Sequence, residues 1–311
     1  MMQSEWGWTV IVDLFMSGLG GCLFLTVAAL FLVEEDRFRT AVRIGAWTSF
    51  AAVLVGVCCL LADVGQPLRA MWMFDAFVNF DSWMPRGAWS LALTLVVFLL
   101  FALLGEARVV KLTGRERSCL IARKVLAVSG IACGLFVTVY TGCLLMDSGS
   151  IPFWETPFVP LSFMCSSLAA GAATALMLVV LTSRPAEHGR VCVALALTSV
   201  LSAVFSAAFV VAIIEGASNA ETSRASVSWT LQSPAFALGA VCLGALVVAG
   251  LVVLACSRRP AVLRYLAVGG CVCALVAGFS LRFWVVGAGA HEELPSIGVT
   301  QLFEGDAFRF Q

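Results

Sequence analysis

The sequence predicts an all-α integral membrane protein with eight transmembrane helices, and three observations lead there. Of its 311 residues, 61% are apolar and only 12% are charged. Charged residues make up about a quarter of an ordinary soluble domain, and a folded surface in water has no place to hide so large an apolar excess. The apolar residues are gathered into eight runs, each close to the ~20 residues that carry a helix across ~30 Å of hydrocarbon. Period-two alternation is absent, which excludes a β-barrel. The same composition excludes a disordered chain, a nucleic-acid-binding surface and a secreted disulfide scaffold.

The runs lie at 9–33, 41–62, 87–104, 121–146, 158–181, 191–214, 235–256 and 262–286. The first is read as a span and not a signal peptide. It is too long for a signal core, follows Glu5 with no basic segment, and lacks an A-x-A site. Between the runs lie short loops and two longer connections, 63–86 and 215–234, and a tail, 287–311, follows the last. None is large enough for a soluble domain. Residues 1–311 are therefore read as one polytopic membrane domain, with two four-helix bundles as the natural division.

Orientation follows from the basic residues. The connections after runs 1, 3, 5 and 7, with the adjoining helix ends, hold 14 of the 19 Lys and Arg against 6 acidic residues. The opposite side holds five basic residues (Arg69, Arg86, Arg224, Arg282 and Arg309) against 13 acidic ones. By the positive-inside rule both termini are expected outside the cytoplasm, in a multi-pass protein of the cytoplasmic (inner) membrane.

The two histidines, His188 and His291, lie outside the runs, so no imidazole pair can hold a haem between spans. Most of the twelve cysteines sit inside runs, without C-x-x-C or ferredoxin spacing. They read as small packing residues, and no iron–sulfur cluster or other metal is expected in this protein. Gly130-x-x-x-Gly134 reads as a close helix contact. Arg43, Arg123, Lys124 and Arg264 lie at inner helix ends, where they are expected to snorkel to the headgroups.

Two charges enter the runs from the outer side. Asp13 lies about one turn into the first and Arg282 one turn before the end of the eighth. Charge inside a bilayer is costly, ~2.5–3.5 kcal/mol at its centre, and marks a partner or a site. Ser17 shares a helical face with Asp13. Tyr140 stands near the outer end of the fourth run, and Asn79, Ser82, Trp83, Arg86 and Trp89 crowd the connection 63–86 and the start of the third. An interfacial aromatic belt with phosphate-pairing arginines would account for that connection alone. Polar groups from four elements at one face are more than a belt requires, and they suit a flat, amphipathic ligand at the membrane boundary.

At these residues the sequence resembles the integral membrane subunits of polysulfide and nitrite reductase complexes, the NrfD/PsrC type. The resembling segments include Trp8 to Phe15 with Gly18 to Gly21, Gly65 to Arg69, Ser82 to Trp89, Tyr140 to Leu145, Pro152 to Pro160 leading into Ala169 to Ala173, and Leu281 to Phe283. The resemblance implies a quinone-binding subunit beneath an extracytoplasmic ferredoxin-like iron–sulfur partner, itself joined to a molybdopterin or multihaem catalytic subunit. It implies exchange of electrons with a menaquinone or other quinone pool. It maps quinone contacts onto Tyr140 and Asp13, with Asp13 exchanging a proton. Arg282 would either stabilise a semiquinone anion or pair with Asp13. Trp83 and Trp89 would pack around the headgroup or anchor the interface, and Asn79, Ser82 and Arg86 would contact quinone or partner. The sequence departs from the family pattern in the sixth run, where Thr198 and Ser199 stand in place of a carboxylate. That departure bears on any proton route through the membrane. A structural anchor without quinone turnover and a secondary transporter are the rival readings. A transporter would place its polar groups near the bilayer midplane.

Overall fold

The runs fold as helices in the computed structural model, which describes residues 7–34, 37–63, 83–109, 116–147, 151, 153–183, 189–219, 223–256 and 260–290. In sequence order the helices are α1 (Trp8–Glu34), α2 (Arg39–Asp63), α3 (Trp83–Leu104), α4 (Glu116–Met146) and α5 (Phe158–Thr182). They continue with α6 (Gly189–Asn219), α7 (Arg224–Gln232), α8 (Pro234–Cys256) and α9 (Pro260–Ala290). Among the described residues there is no strand. All the helices except α7 are long and apolar enough to cross a bilayer, giving eight spans. The molecule is a multi-pass membrane protein.

Several helices outrun their apolar runs where the added turn is locally favourable. Pro234 and Pro260 open α8 and α9, a position where the missing N–H removes no helical bond. Glu116 stands in the first turn of α4, where a carboxylate meets the positive end of the helix dipole. The connection 215–234, too poor in apolar residues to show a span in sequence, contains α7. Its Ser226, Val227 and Thr230 are buried, and its Trp229 ring covers Gly287 of α9.

The spans form two halves. In one, α1 packs on α2 and α4, and α3 bridges α2 and α4. In the other, α5 packs on α6 and α9, and α8 bridges α6 and α9. The halves meet chiefly along α1 and α5. These two spans are the most enclosed, with 72% of their apolar windows buried against 11% for α8.

Small residues allow that closeness. A Cβ at Gly21 would strike the Gly134 carbonyl oxygen, and one at Gly171 the backbone of Cys22 and Leu23. Helices in lipid gain no hydrophobic drive from meeting, so close backbone packing has to hold them. Gly130 makes room for the Phe24 ring, which stacks on Phe98 of α3 at 3.8 Å. The Gly130-x-x-x-Gly134 pair is thus a helix contact. Gly21→Ala should push α1 off α4 and cost about 1–3 kcal/mol, the usual range for overpacking. A lowered midpoint of thermal unfolding in detergent would register it.

Arg123 does not snorkel. It is buried, with its guanidinium 4.4 Å from the Phe31 ring centroid and 4.8 Å from that of Phe101. A weakly hydrated planar cation stacks on aromatic faces where an ammonium would stay in water.

Candidate functional site

Helix α1 places Asp13 and Ser17 one turn apart, facing α2. The Ser17 hydroxyl donates to Asp13 Oδ1 at 2.8 Å, and both residues are buried. Gly56 of α2 provides the space, because a Cβ there would strike Ser17 Oγ and Asp13 Oδ1. Among the described residues Ser17 is the one side chain hydrogen-bonded to Asp13, which leaves Oδ2 uncommitted.

Tyr140 of α4 is 4% exposed. Its ring and hydroxyl occupy the space that a side chain at Gly87, in the first turns of α3, would need. No hydrogen bond among the described residues engages that hydroxyl, so its proton is available. Each of the two groups thus packs on a glycine of a neighbouring span, Asp13 of α1 on α2 and Tyr140 of α4 on α3, and α1 and α4 pack on each other. The start of α1 and the end of α2 are tied at the same face, where Thr9 Oγ1 donates to Asp63 Oδ1 at 2.6 Å.

Arg282 does not join this group. Its guanidinium is fully buried and directed at α5. One terminal nitrogen donates to Ser166 Oγ at 2.7 Å and to the Gly278 carbonyl at 2.9 Å. The other donates to the Phe163 carbonyl at 3.0 Å and to Ser167 Oγ. The Phe163 ring centroid lies 4.7 Å away. Arg282 approaches α1 at Gly18, on a different face from Asp13, and the two form no ion pair among the described residues. The sequence left two readings open, a semiquinone anion or Asp13 as its counter-charge, whereas its partners among the described residues are two hydroxyls and a carbonyl of α5 and the Gly278 carbonyl of its own helix.

Trp83 is half-buried against the core of the first half, with the Arg86 guanidinium 5.3 Å above its ring. Trp89 is exposed. Arg86, Trp89, Leu93, Cys133 and Phe136 line a groove of about 400 Å³ between α3 and α4, beside the contact of Gly87 with Tyr140. Asn79, Ser82 and the segment 65–69 lie outside the described residues. Among the described residues, no three His, Cys, Asp or Glu side chains stand close enough to hold a metal.

Sequence reasoning did not single out Gly56, Ser166 or Ser167. Gly56 carries no chemistry to attract notice. The two serines were visible as adjacent hydroxyls inside an apolar run, but their cation lies more than a hundred residues away on α9.

Eight spans in two halves define a polytopic membrane protein, and a buried acid and a buried phenol in the first half are its candidate polar site. The sequence matches the family model described as polysulphide reductase, NrfD, over residues 1–291. The protein belongs to the NrfD (polysulphide reductase) family. It is 27% identical over 184 residues to the C subunit of polysulfide reductase from Wolinella succinogenes, covering 56% of this protein and 57% of that one. It is also 27% identical over 203 residues to protein NrfD of Escherichia coli strain K12, covering 59% of this protein and 62% of that one. The matched stretches thus span about three fifths of these relatives' lengths.

Proposed function

We propose that the protein is the membrane-anchor and quinone-binding subunit of a respiratory oxidoreductase complex in the cytoplasmic (inner) membrane. Its termini and the Asp13 site face outward, toward an extracytoplasmic iron–sulfur subunit. Through that subunit it serves a molybdopterin or multihaem catalytic subunit. The family assignment supports this reading, and one observation carries it. A buried carboxyl and a buried phenol, each with a polar atom uncommitted among the described residues, stand on helices α1 and α4, which pack on each other.

The substrate chemistry needs both groups. When a quinol of the menaquinone type is oxidised, two O–H bonds break, two electrons pass to the iron–sulfur partner and two protons leave. Asp13 takes the two protons in turn through Oδ2, passing the first to the outer face before the second arrives, and Ser17 fixes the carboxyl by holding Oδ1. The Tyr140 hydroxyl donates a hydrogen bond to the other ring oxygen and orients the ring. The groove beside Arg86 and Trp89 admits a lipid-soluble molecule sideways from the bilayer. Quinone reduction runs the same steps backwards.

Tyr140→Phe keeps the packing on Gly87 and removes one hydrogen bond, so KM for quinol should rise roughly tenfold, the equivalent of about 1.4 kcal/mol. Steady-state kinetics on the intact complex, purified from native membranes through this subunit, checks it. An iron–sulfur protein and a large catalytic subunit should co-purify. Turnover that survives replacement of both Tyr140 and Asp13 would leave a purely structural anchor as the better reading.

A further inference from the structure

A polar groove lies at the end of the bundle opposite Asp13, where α2 begins and α3 ends. Arg43, Ile44, Trp47, Thr48 and Ala51 of α2 line it together with Glu106, just past α3, and its volume is about 550 Å³. The helix repeat sets its shape. Ile44, Thr48 and Ala51 follow one another at intervals of four and three, so they form one stripe running from the helix end into the span. The Thr48 hydroxyl donates to the Ile44 carbonyl at 2.9 Å. Its proton is thereby spent on the backbone, and the stripe is an apolar track. Trp47 packs against the core of the first half and makes the inner wall.

Two opposite charges stand at the mouth of the groove without closing on each other. The Trp47 indole N–H donates to Glu106 Oε1 at 3.0 Å, which fixes the carboxylate. Glu106 Oε2 and the nearest Arg43 nitrogen are 3.9 Å apart, too far for a hydrogen bond. Among the described residues no hydrogen bond engages the Arg43 guanidinium or that second oxygen. Both side chains are partly exposed, and so open an ion pair contributes little that an entering ligand would have to replace.

The charge pattern selects the occupant. A guanidinium pairs with phosphate through its planar donors, and a carboxylate accepts hydrogen bonds from a primary ammonium. Phosphatidylethanolamine carries both groups on one headgroup, above acyl chains that suit the apolar track. Phosphatidylglycerol would satisfy Arg43, but its net negative charge is repelled by Glu106. Arginine alone would be an ordinary interfacial anchor for any phosphate. Glu106 is what adds selectivity, whereas Glu34 at the same end is already bonded to Arg37 at 2.9 Å.

We propose that this groove is a binding site for phosphatidylethanolamine. The phosphate pairs with Arg43, the ammonium donates to Glu106 Oε2, and one acyl chain lies along Ile44, Thr48 and Ala51.

The test is photolabelling of the full-length protein in nanodiscs that hold phosphatidylethanolamine and phosphatidylglycerol in equal amounts. Each lipid in turn carries a diazirine in one acyl tail, and adducts are mapped by mass spectrometry. The reference is Val125 and Val128, lipid-facing residues of α4 near the same membrane end. The ratio of ethanolamine to glycerol adducts on Ile44 and Ala51 should exceed the reference ratio roughly fivefold. Arg43→Gln should lower the ethanolamine adducts in the groove by a similar factor. Glu106→Gln keeps an acceptor for the Trp47 indole and should bring the groove ratio down to that on α4. A phosphatidylcholine probe makes the same point without a substitution. Its trimethylated nitrogen has no N–H to give Glu106, so it should favour the groove no more than it favours α4. A groove ratio equal to the reference, or one that survives Glu106→Gln, would overturn the proposal. So would choline labelling as strong as ethanolamine labelling, or displacement of the ethanolamine probe by excess menaquinone, which would assign the groove to a quinone.

Discussion

Asp13→Asn is expected to lower quinol-linked electron transfer in the intact complex by roughly a hundredfold or more, the range of a lost general acid–base group. The substitution isolates the chemistry because the amide nearly matches the carboxyl in shape. Its oxygen still accepts from the Ser17 hydroxyl, which now lies 2.8 Å from Asp13 Oδ1. The side chain still fits beneath Gly56 of α2. Assembly with partner subunits and thermal unfolding should therefore match the parent protein. The loss should fall on kcat, since the amide binds without accepting a proton, whereas Tyr140→Phe should act mainly through KM. Steady-state kinetics with a short-tailed quinol separates the two. Parent-like turnover in Asp13→Asn would mean that the buried acid serves packing, and the proton would need another acceptor.

Some of this arrangement was legible in the sequence for a plain reason. A span announces itself because lipid demands an unbroken apolar run, and the eight runs became eight membrane-crossing helices. Asp13 and Ser17 were readable as a pair because the helix repeat puts residues four apart on one face. What stayed hidden depends on which helices meet. Gly56 and Gly87 matter for the side chains they admit from α1 and α4, and no local pattern names those neighbours. The same holds for Arg282, a lone cation whose acceptors lie on α5. The short helix α7 was overlooked because nine residues, more than half of them polar, are far too few for a membrane-length run.

Arg282→Leu is expected to destabilise the second half of the protein whether or not any ligand or partner is bound. The guanidinium makes four hydrogen bonds, three to α5 and one within α9. At ~0.6 kcal/mol or more each inside a membrane protein, with the cavity left by a shorter branched side chain, the loss comes to roughly 3–5 kcal/mol. Leu cannot engage the hydroxyls of Ser166 and Ser167, and α5 and α9 would lose their polar tie beside the junction with α1. Arg282→Lys should rescue little. An ammonium keeps the charge but cannot reproduce the planar fork that serves two serines and the Phe163 carbonyl together. Thermal unfolding of the isolated protein in detergent measures both variants. The alternative is that Arg282 chiefly stabilises negative charge on a ligand. In that case Arg282→Leu would unfold like the parent, and only quinol-linked turnover would fall. The fully enclosed guanidinium, saturated at both terminal nitrogens and turned toward α5, favours the first outcome. It casts Arg282 as a clamp between α5 and α9, separate from the Asp13 and Tyr140 groups proposed to meet the quinol.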